Sequence, residues 1–284
     1  MRSGRVVWCC QGVSTPPPQP TLGTPRIDAL ATALLDAFES GRSIEPLTQT
    51  DPGLTVDDAY AIQRALVAGH ARAGRNVTGR KIGLTSEGIQ RQLGVDSPDF
   101  GVLLDSHTFR SGTSVSLGAL GTILPRIEGE IGFVLSRPLA GPGVTPEDVR
   151  DATAGVMPVF ELIDSRIRDW KLTLADTVAD NASCLGAVLG DHVTLADAGP
   201  LPDTKMVLMR DGETLLTGEG KAVLGDPAVA VAWLANELGR RGDVLPAGQP
   251  ILSGSLTVAV EAVPGRYVAD FGALLGSVQI DIEK

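Results

Sequence analysis

The chain has 284 residues, and its 24 basic and 34 acidic side chains give a formal net charge of −10, which excludes general electrostatic binding of nucleic acid or anionic membranes. Its 43% apolar and 20% charged content excludes long-range disorder and is typical of a globular protein with a substantial core. The three cysteines form no CxxC pair and no apolar run reaches the roughly 18 residues of a membrane span, so a cytoplasmic protein is expected.

The first quarter of the chain combines a Pro-rich start with two helices. Residues 1–24 end in STPPPQPTLGTP and are predicted to be a disordered extension. In the next segment apolar residues recur at helical spacing up to Gly41, a glycine suited to a helix end. A second helix opens with Thr55 and Asp58 in a capping-box pattern. Residues 25–76 are therefore predicted to form a small helical N-terminal part.

The remainder, residues 77–284, is predicted to be a β-rich body. Its short apolar runs are separated by Gly, Pro, Asp and Ser, and helices opening at Thr145 and Asp226 interrupt them. Asp211-Gly212 between two apolar runs is a hairpin signal. Because the elements do not alternate as βαβ units, the predicted class is α+β. The predicted strands are Arg80–Leu84, Ile127–Leu135, Val156–Ile163, Leu185–Leu189, Met206–Arg210, Thr214–Thr217, Ile251–Leu252 and Leu256–Val260.

The segment PRIEGEIGFVL, at 125–135, carries two acidic residues on a predicted strand. Strand alternation puts Arg126, Glu128 and Glu130 on one face and apolar residues on the other. Two carboxylates that project to the same side can converge on one cation, which relieves their repulsion. The alternative is an exposed strand edge on which both glutamates pair with surface arginines.

A third carboxylate, Glu161, lies inside the apolar run VMPVFELI. Burial of an isolated carboxylate is costly, so Glu161 must be paired, protonated or bound to a metal. A salt bridge to Arg166 or Arg168 is the structural alternative. Three carboxylates with no clustered histidine or thiolate favour Mg²⁺ or Mn²⁺ over Zn²⁺.

Three further segments contain candidate polar groups. GRKIGLTS places Lys81 at the start of a strand, where it can act as acid or base beside carboxylates, although most lysines are solvated. PDFG places Asp99 in a predicted turn, where a structural role is more common than catalysis. DTVADNASC, at 176–184, precedes a buried strand, a position typical of ligand contacts and also of turns and caps.

From about residue 25 to its C-terminus the chain resembles the hydratase/decarboxylase branch of the fumarylacetoacetate hydrolase superfamily. Within that branch it most resembles the 2-hydroxypenta-2,4-dienoate hydratases of aromatic meta-cleavage pathways. This resemblance implies a distorted β-roll or sandwich with flanking helices, a cyclic homo-oligomer, and possible association with the decarboxylase of the same pathway. The matching motifs, in chain order, are GRKIGLTS, LGVDSPDFG, PRIEGEIGFVL, FELIDSRIRDW, DTVADNASC, WLANELG and ILSGSL.

The resemblance also implies roles for individual residues of the body, residues 77–284, as a metal-binding catalytic domain. Arg126 is added only as a weaker candidate for binding the substrate, because it shares a face with two of the implied metal ligands. The implied Mg²⁺ or Mn²⁺ ligands are Glu128, Glu130 and Glu161, the acid/base candidates are Lys81 and Asp99, and the residue at the substrate pocket is Ser183.

The implied reaction adds water to 2-hydroxypenta-2,4-dienoate, a small 2-hydroxy dienoate acid, and gives 4-hydroxy-2-oxopentanoate. A 4-oxalocrotonate (2-oxo-3-hexenedioate) decarboxylase would use the same metal site, and Trp170 and Cys184 favour the hydratase pattern over it. A hydratase for longer dicarboxylic dienoates and a non-catalytic partner subunit with a structural ion also remain open. A hydrolase is disfavoured, because no histidine falls in a clear position near the glutamates.

Overall fold

The computed structural model describes residues 18–284 except 87, 89, 92 and 93, so most of the predicted N-terminal extension lies outside the described residues. Two β-sheets form the body, and helices pack around them. The α-helices within the described residues are α1 (Thr24–Ser40), α2 (Leu47–Thr50), α3 (Val56–Arg72), α4 (Pro146–Ala152), α5 (Leu174–Ala179), α6 (Leu195–Ala198), α7 (Pro227–Arg240) and α8 (Gly272–Leu275). The strands are β1 (Val77–Gly83), β2 (Asp99–Leu104), β3 (Thr108–Arg110), β4 (Thr113–Ser116), β5 (Arg126–Leu135), β6 (Thr153–Ile163), β7 (Cys184–Leu189), β8 (Lys205–Arg210), β9 (Glu213–Glu219), β10 (Pro250–Ser255), β11 (Val260–Glu261), β12 (Gly265–Asp270) and β13 (Ser277–Glu283).

The two predicted N-terminal helices are confirmed as α1 and α3, which pack against each other. Helix α1 ends at Gly41 in the left-handed conformation, and α3 begins with the predicted capping box between Thr55 and Asp58. Asp58 Oδ1 also accepts hydrogen bonds at 2.7 Å from the backbone N–H groups of Thr21 and Leu22. These bonds attach the chain just ahead of α1 to the start of α3. The division of the chain into a helical part, residues 25–76, and a β-rich catalytic domain, residues 77–284, stays a prediction.

The larger sheet has the strand order β2-β1-β10-β5-β6-β7-β3, with β11 paired to β5, and the smaller sheet has the order β4-β13-β12-β8-β9. Strands β1 and β10, β3 and β7, and β4 and β13 pair in parallel, and the other pairs are antiparallel. Among the described residues neither sheet closes into a barrel, and the helices do not alternate regularly with the strands. The predicted α+β class is confirmed.

Two local predictions are wrong. The predicted strand Leu256–Val260 does not form, because β10 ends at Ser255 and residues 256–259 run as a loop to the short β11. Asp99 lies in no turn but is the first residue of β2, where it pairs with Gly83 of β1 and is buried. The hairpin at Asp211-Gly212 is confirmed, and both residues have the positive φ that its tight turn requires.

Strands β5 and β6 lie in the middle of the larger sheet, and their buried apolar side chains form much of the hydrophobic core. The apolar face of β5 includes the fully buried Ile127, Ile131 and Phe133. Gly129 on that face lets Met206 of the smaller sheet approach, since a Cβ there would lie 3.0 Å from the Met206 Cε. The opposite face of β5 carries the acidic residues, so packing of the apolar face sets where the carboxylates point. Within the described residues, no helix has the length and apolar content needed to cross a membrane.

Candidate metal centre and active-site cavity

Three glutamates from two neighbouring strands meet on the acidic face of the larger sheet. Glu128 of β5 lies directly opposite Glu161 of β6, and Glu130 is the next residue on the same face of β5. One carboxylate oxygen from each lies within 4.8 Å of the others. Glu130 and Glu161 are buried and Glu128 is half-buried. Since β5 is flanked by β10 and β6, the alternative of an exposed strand edge is wrong.

The carboxylate oxygens are only partly satisfied by the protein. Glu130 Oε2 accepts a hydrogen bond from the Gly254 N–H at 2.8 Å. Lys81 Nζ lies 3.2 Å from Glu161 Oε1, and both side chains are almost fully buried. Glu130 Oε1 and Glu161 Oε2 accept no hydrogen bond from any residue that the structure describes. Buried oxygens without a partner are unusual and are available as ligands.

The arginines proposed as structural partners of Glu161 point elsewhere. Arg166 Nε donates to Asp180 Oδ1 at 2.5 Å in a buried ion pair, and Arg168 pairs with Glu45 at the surface. The predicted alternative of a salt bridge from Glu161 to either arginine is therefore wrong.

Burial raises the pKa of each carboxyl group of the cluster, and repulsion by neighbouring glutamates adds to the rise for Glu128 and Glu130. Burial, with the Glu161 charge added, raises the pKa of Glu128 to about 8. Burial and its two acidic neighbours raise the pKa of Glu130 well above its usual range. For Glu161, burial raises the pKa against the opposing charge of Lys81. Burial disfavours the Lys81 charge, but Glu161 and Asp99 outweigh it and hold the Lys81 pKa above its ordinary value.

The cluster fits a hard divalent cation in both charge and donor type. With all three carboxyl groups ionised, as metal ligands are, the cluster carries three negative charges and Lys81 one positive charge, which leaves two negative charges, the complement of one divalent ion. The donor set is made of carboxylate oxygens, the ligands that Mg²⁺, Mn²⁺ and Ca²⁺ prefer. The unpartnered oxygens of Glu130 and Glu161 would complete their interactions on such an ion.

A cavity of about 400 Å³ opens beside the cluster, a size typical of small-molecule sites. Glu128, Lys81, Asp99 and Ser183 line it. Its other lining residues are mostly small or apolar and are Gly83, Leu84, Arg126, Ile163, Trp170, Leu172, Thr177, Ala182, Val258 and Ala259.

Asp99 is held close to Lys81 at the wall of this cavity. Asp99 Oδ1 is buried without a hydrogen-bond partner among the described residues, and Oδ2 lies 3.5 Å from Thr177 Oγ1. Burial raises the pKa of Asp99, and the Lys81 charge opposes that rise. Gly83 leaves the space between them, since a Cβ there would overlap Asp99 Oδ1 and lie 3.1 Å from Lys81 Nζ. Thr177 Oγ1 is also 3.2 Å from Ser183 Oγ.

A left-handed turn of three consecutive residues presents Ser183 and a backbone carbonyl to the site. Asn181, Ala182 and Ser183 have φ values of 55°, 51° and 54°, a conformation that is rare outside glycine and often stores strain at functional sites. The Ala182 carbonyl accepts a 2.9 Å hydrogen bond from Lys81 Nζ. The Asn181 amide fixes the turn by accepting from the Val102 N–H at 2.8 Å and donating to the Val102 carbonyl at 2.9 Å.

Arg126 and Trp170 form one end of the cavity. The Arg126 guanidinium stacks 4.5 Å from the centre of the Trp170 ring, and Trp170 Nε1 donates to the Leu124 carbonyl at 3.1 Å. Trp170 and its neighbour Asp169 both have positive φ. Arg126 forms no hydrogen bond or ion pair with another described residue, which leaves its donors open to the cavity.

The structure brings all seven predicted site residues together. Lys81, Asp99, Arg126, Glu128 and Ser183 line the cavity, and Glu130 and Glu161 adjoin Glu128. Sequence reasoning did not single out Thr177, and it gave Asn181 no role beyond membership of a polar segment, although both residues shape the site. Both lie in the polar motif DTVADNASC, but neither contact can be read from the spacing, because each depends on β2, more than 70 residues earlier.

Comparisons with known proteins agree with this geometry. A family model described as fumarylacetoacetate (FAA) hydrolase C-terminal matches residues 72–274. The 2-hydroxyhexa-2,4-dienoate hydratase of Comamonas testosteroni is 47% identical over 84% of this chain and 90% of its own length. The 2-keto-4-pentenoate hydratase of Paraburkholderia xenovorans (strain LB400) is 44% identical over 89% of this chain and 93% of its own length.

A solved structure with nearly the same fold is 4-oxalocrotonate decarboxylase from Pseudomonas putida G7, complexed with magnesium and adipate. It superimposes with a TM-score of 0.89 at 35% identity and covers 93% of this chain and 100% of its own. The similarity therefore extends over both sheets and the N-terminal helices.

Proposed function

The chain belongs to the fumarylacetoacetate hydrolase family, and we propose that it is a metal-dependent hydratase that converts 2-hydroxypenta-2,4-dienoate into 4-hydroxy-2-oxopentanoate. Relatives at 44–47% identity carry hydratase names, and the decarboxylase structure is less similar at 35%. The observation that supports the proposal best is the placement of three buried carboxylates with unpartnered oxygens beside a cavity that also contains Lys81 and Asp99.

In this proposal Glu128, Glu130 and Glu161 hold a Mg²⁺ or Mn²⁺ ion. When bound, such an ion would supply Lewis-acid stabilisation of the negative charge that develops on the substrate. The contribution of the chain is to fix the three ligands before the ion arrives. Antiparallel pairing sets Glu128 against Glu161, and the Gly254 N–H orients Glu130.

Lys81 and Asp99 carry the proton transfers. The reaction moves a proton from the 2-hydroxyl group to the terminal carbon C5, which leaves a 2-oxo group conjugated with the C3–C4 double bond. The hydroxyl of water then adds to C4 and the remaining proton of that water goes to C3. Lys81 stays protonated beside Glu161 and donates one hydrogen bond to the Ala182 carbonyl, which leaves further N–H hydrogens for the cavity. Asp99 Oδ1 has no partner within the described residues and is the free acceptor on the same wall. The two groups are thus suited to move a proton across the substrate.

The remaining walls select the substrate. Ser183 and Arg126 are the proposed contacts to the substrate's polar end, because both line the cavity and can donate hydrogen bonds. Leu84, Ile163 and Leu172 form an apolar surface suited to a short unsaturated chain.

A 4-oxalocrotonate decarboxylase is the second candidate, and one observation favours it. The open donors of Arg126 could bind the second carboxylate of a six-carbon diacid. The related decarboxylase was solved with adipate, which is a diacid of this length. The two candidates share the acidic cluster and differ in what happens to the substrate, so they are separable by product.

Purified protein with Mg²⁺ or Mn²⁺ is assayed on fresh 2-hydroxypenta-2,4-dienoate and, separately, on 2-oxo-3-hexenedioate. Loss of dienol absorbance without CO₂ supports the hydratase, and CO₂ release supports the decarboxylase. Inertness toward both substrates would contradict both candidates and favour a non-catalytic, metal-binding partner subunit.

The same assay tests the metal site. Glu130→Gln is expected to abolish metal-dependent turnover while the protein still folds. Glu213→Gln, on an exposed position of the smaller sheet, is the matched control and should keep full activity. Mass measurement in solution, alone and with the pathway decarboxylase, tests the proposed cyclic homo-oligomer and the proposed complex.

A further inference from the structure

A second cavity of about 410 Å³ lies on the other face of the β1–β2 pair. Side chains alternate along a strand, so Lys81 and Asp99 face the acidic cluster while Arg80 and Phe100 line this second cavity. Helix α3 and the end of α7 close it on the outer side. None of the residues assigned to the proposed reaction lines it.

Three arginines line the second cavity, and their charge is incompletely neutralised. Arg80 Nε is buried and donates to no described residue, and the carboxylate nearest to this guanidinium is that of Asp243 at 3.9 Å. Arg64 has no hydrogen bond or ion pair within the described part of the chain. Arg241 is already paired, with Glu237 at 2.8 Å.

The pKa values of two arginines agree with a shortage of negative charge. Burial lowers the pKa of Arg80. Burial and the nearby charge of Arg241 lower the pKa of Arg64. An environment that disfavours the charged form of a guanidinium becomes favourable once an anion occupies it.

The rest of the cavity wall is mostly apolar. Besides the arginines it contains Gln63, whose amide donates to the Phe100 and Val178 carbonyls, and Asp243, the carboxylate beside Arg80. The other lining side chains are aliphatic or aromatic, and an inorganic anion would leave them unused. Tyr60 lies between Phe100, whose ring centre is 4.5 Å away, and the Arg241 guanidinium, which is 3.9 Å from the Tyr60 ring centre, so both faces of the Tyr60 ring are covered. The aliphatic residues in the lining are Val67, Ala68, Ala71, Val77, Val102 and Leu238.

We propose that this cavity is a second binding site, for a small organic carboxylate whose charged group pairs with Arg64 and Arg80 and whose apolar body lies against the aliphatic side chains of the wall. The site does not depend on the proposed function, since it shares no residue with the acidic cluster. It predicts that the chain binds such an acid whether or not a metal ion is present.

Equilibrium dialysis of the full-length protein with benzoate tests the proposal. The measurements are made in Mg²⁺ and again in EDTA, because binding through a metal ion is lost in EDTA and binding to the arginines is not. Saturable binding in EDTA is expected. The neutral analogue benzamide should bind at least about tenfold more weakly, since a charge-assisted hydrogen bond is lost. Inorganic phosphate should compete poorly.

Arg64→Gln and Arg80→Gln are each expected to raise the benzoate Kd by about tenfold or more. Arg72→Gln, on the same helix but outside the cavity, is the matched control and should bind normally. Absence of saturable binding in EDTA, equal affinity for benzamide, or equal Kd values in Arg64→Gln and Arg72→Gln would each overturn the proposal. A change in oligomeric mass in Arg64→Gln would also overturn it, because the arginines would then hold a subunit contact.

Discussion

Substitution of Gly83 by alanine should damage the proposed catalytic geometry more than the fold. The added Cβ would overlap Asp99 Oδ1 and lie 3.1 Å from Lys81 Nζ. To regain ordinary van der Waals separation, the Asp99 carboxylate has to move by about 1 Å. The atom that yields is the end of a side chain and the backbone of Gly83 has no positive φ, so the loss of stability should stay at about 1–3 kcal/mol.

The expected effect on turnover is much larger. Misplacement of a catalytic group by about 1 Å can reduce the rate about 100-fold, and we expect a fall in kcat of that order for Gly83→Ala. Metal affinity should be unchanged, because the atoms nearest to the new methyl group belong to Asp99 and Lys81 and not to the three glutamates. The measurements are the decay of dienol absorbance and calorimetric titration with Mn²⁺.

Gly53→Ala is the matched control, since a Cβ at that exposed position has no atom within 4 Å. A kcat for Gly83→Ala close to that of the control would refute the reasoning, because a displaced Asp99 would then have no consequence. If Gly83→Ala fails to fold, Asp99→Asn provides the same test without added volume. An unchanged kcat in that variant would likewise remove Asp99 from the reaction.

Three further outcomes follow from the contacts of the site and of the helical part. Asn181→Ala removes both hydrogen bonds between the Asn181 side chain and the Val102 backbone, and it should lower kcat more than it raises KM. A loss of activity that only follows a loss of thermal stability would instead indicate a purely structural role. Saturating Mg²⁺ should raise the free energy of unfolding by about 3 kcal/mol at 100 times its Kd, and Glu161→Gln should abolish that gain in thermal melts. Burial lowers the pKa of His70 to about 4, so between pH 6.5 and 4 the unfolded chain binds a proton that the folded chain does not. The free energy of unfolding should therefore fall by up to about 3 kcal/mol as the pH drops through that window. Denaturant titrations of His70→Gln should show a weaker dependence of stability on pH.

The acidic half of the site could be predicted from local pattern. Alternation along one strand was sufficient to place Glu128 and Glu130 on the same side, and the apolar run around Glu161 required a buried partner for its charge. The pairing of β5 with β6 then brings Glu161 opposite Glu128. Each inference rested on the side-chain period of a strand and on the cost of a buried charge.

The position of Asp99 beside Lys81, and the cavity wall around them, could not be predicted locally, because they depend on contacts between distant parts of the chain. PDFG reads as a turn in isolation, but pairing with Gly83 extends the segment into a buried strand and makes Asp99 a neighbour of Lys81. The apolar run at Leu256 has strand composition, yet its residues leave the sheet and contribute Val258 to the cavity wall. Tertiary pairing overrode local propensity in both places.

The acidic cluster and the hydrophobic core depend on each other through the register of β5. Glutamates directly opposite across two strands repel, and one lysine neutralises only part of their charge, so the cluster by itself favours a shift of the strand. A shift by one residue would move Ile131 and Phe133 out of the core and the glutamates into it. Burial of each such side chain contributes about 1.5–3 kcal/mol, so the apolar face keeps the register that holds the carboxylates together.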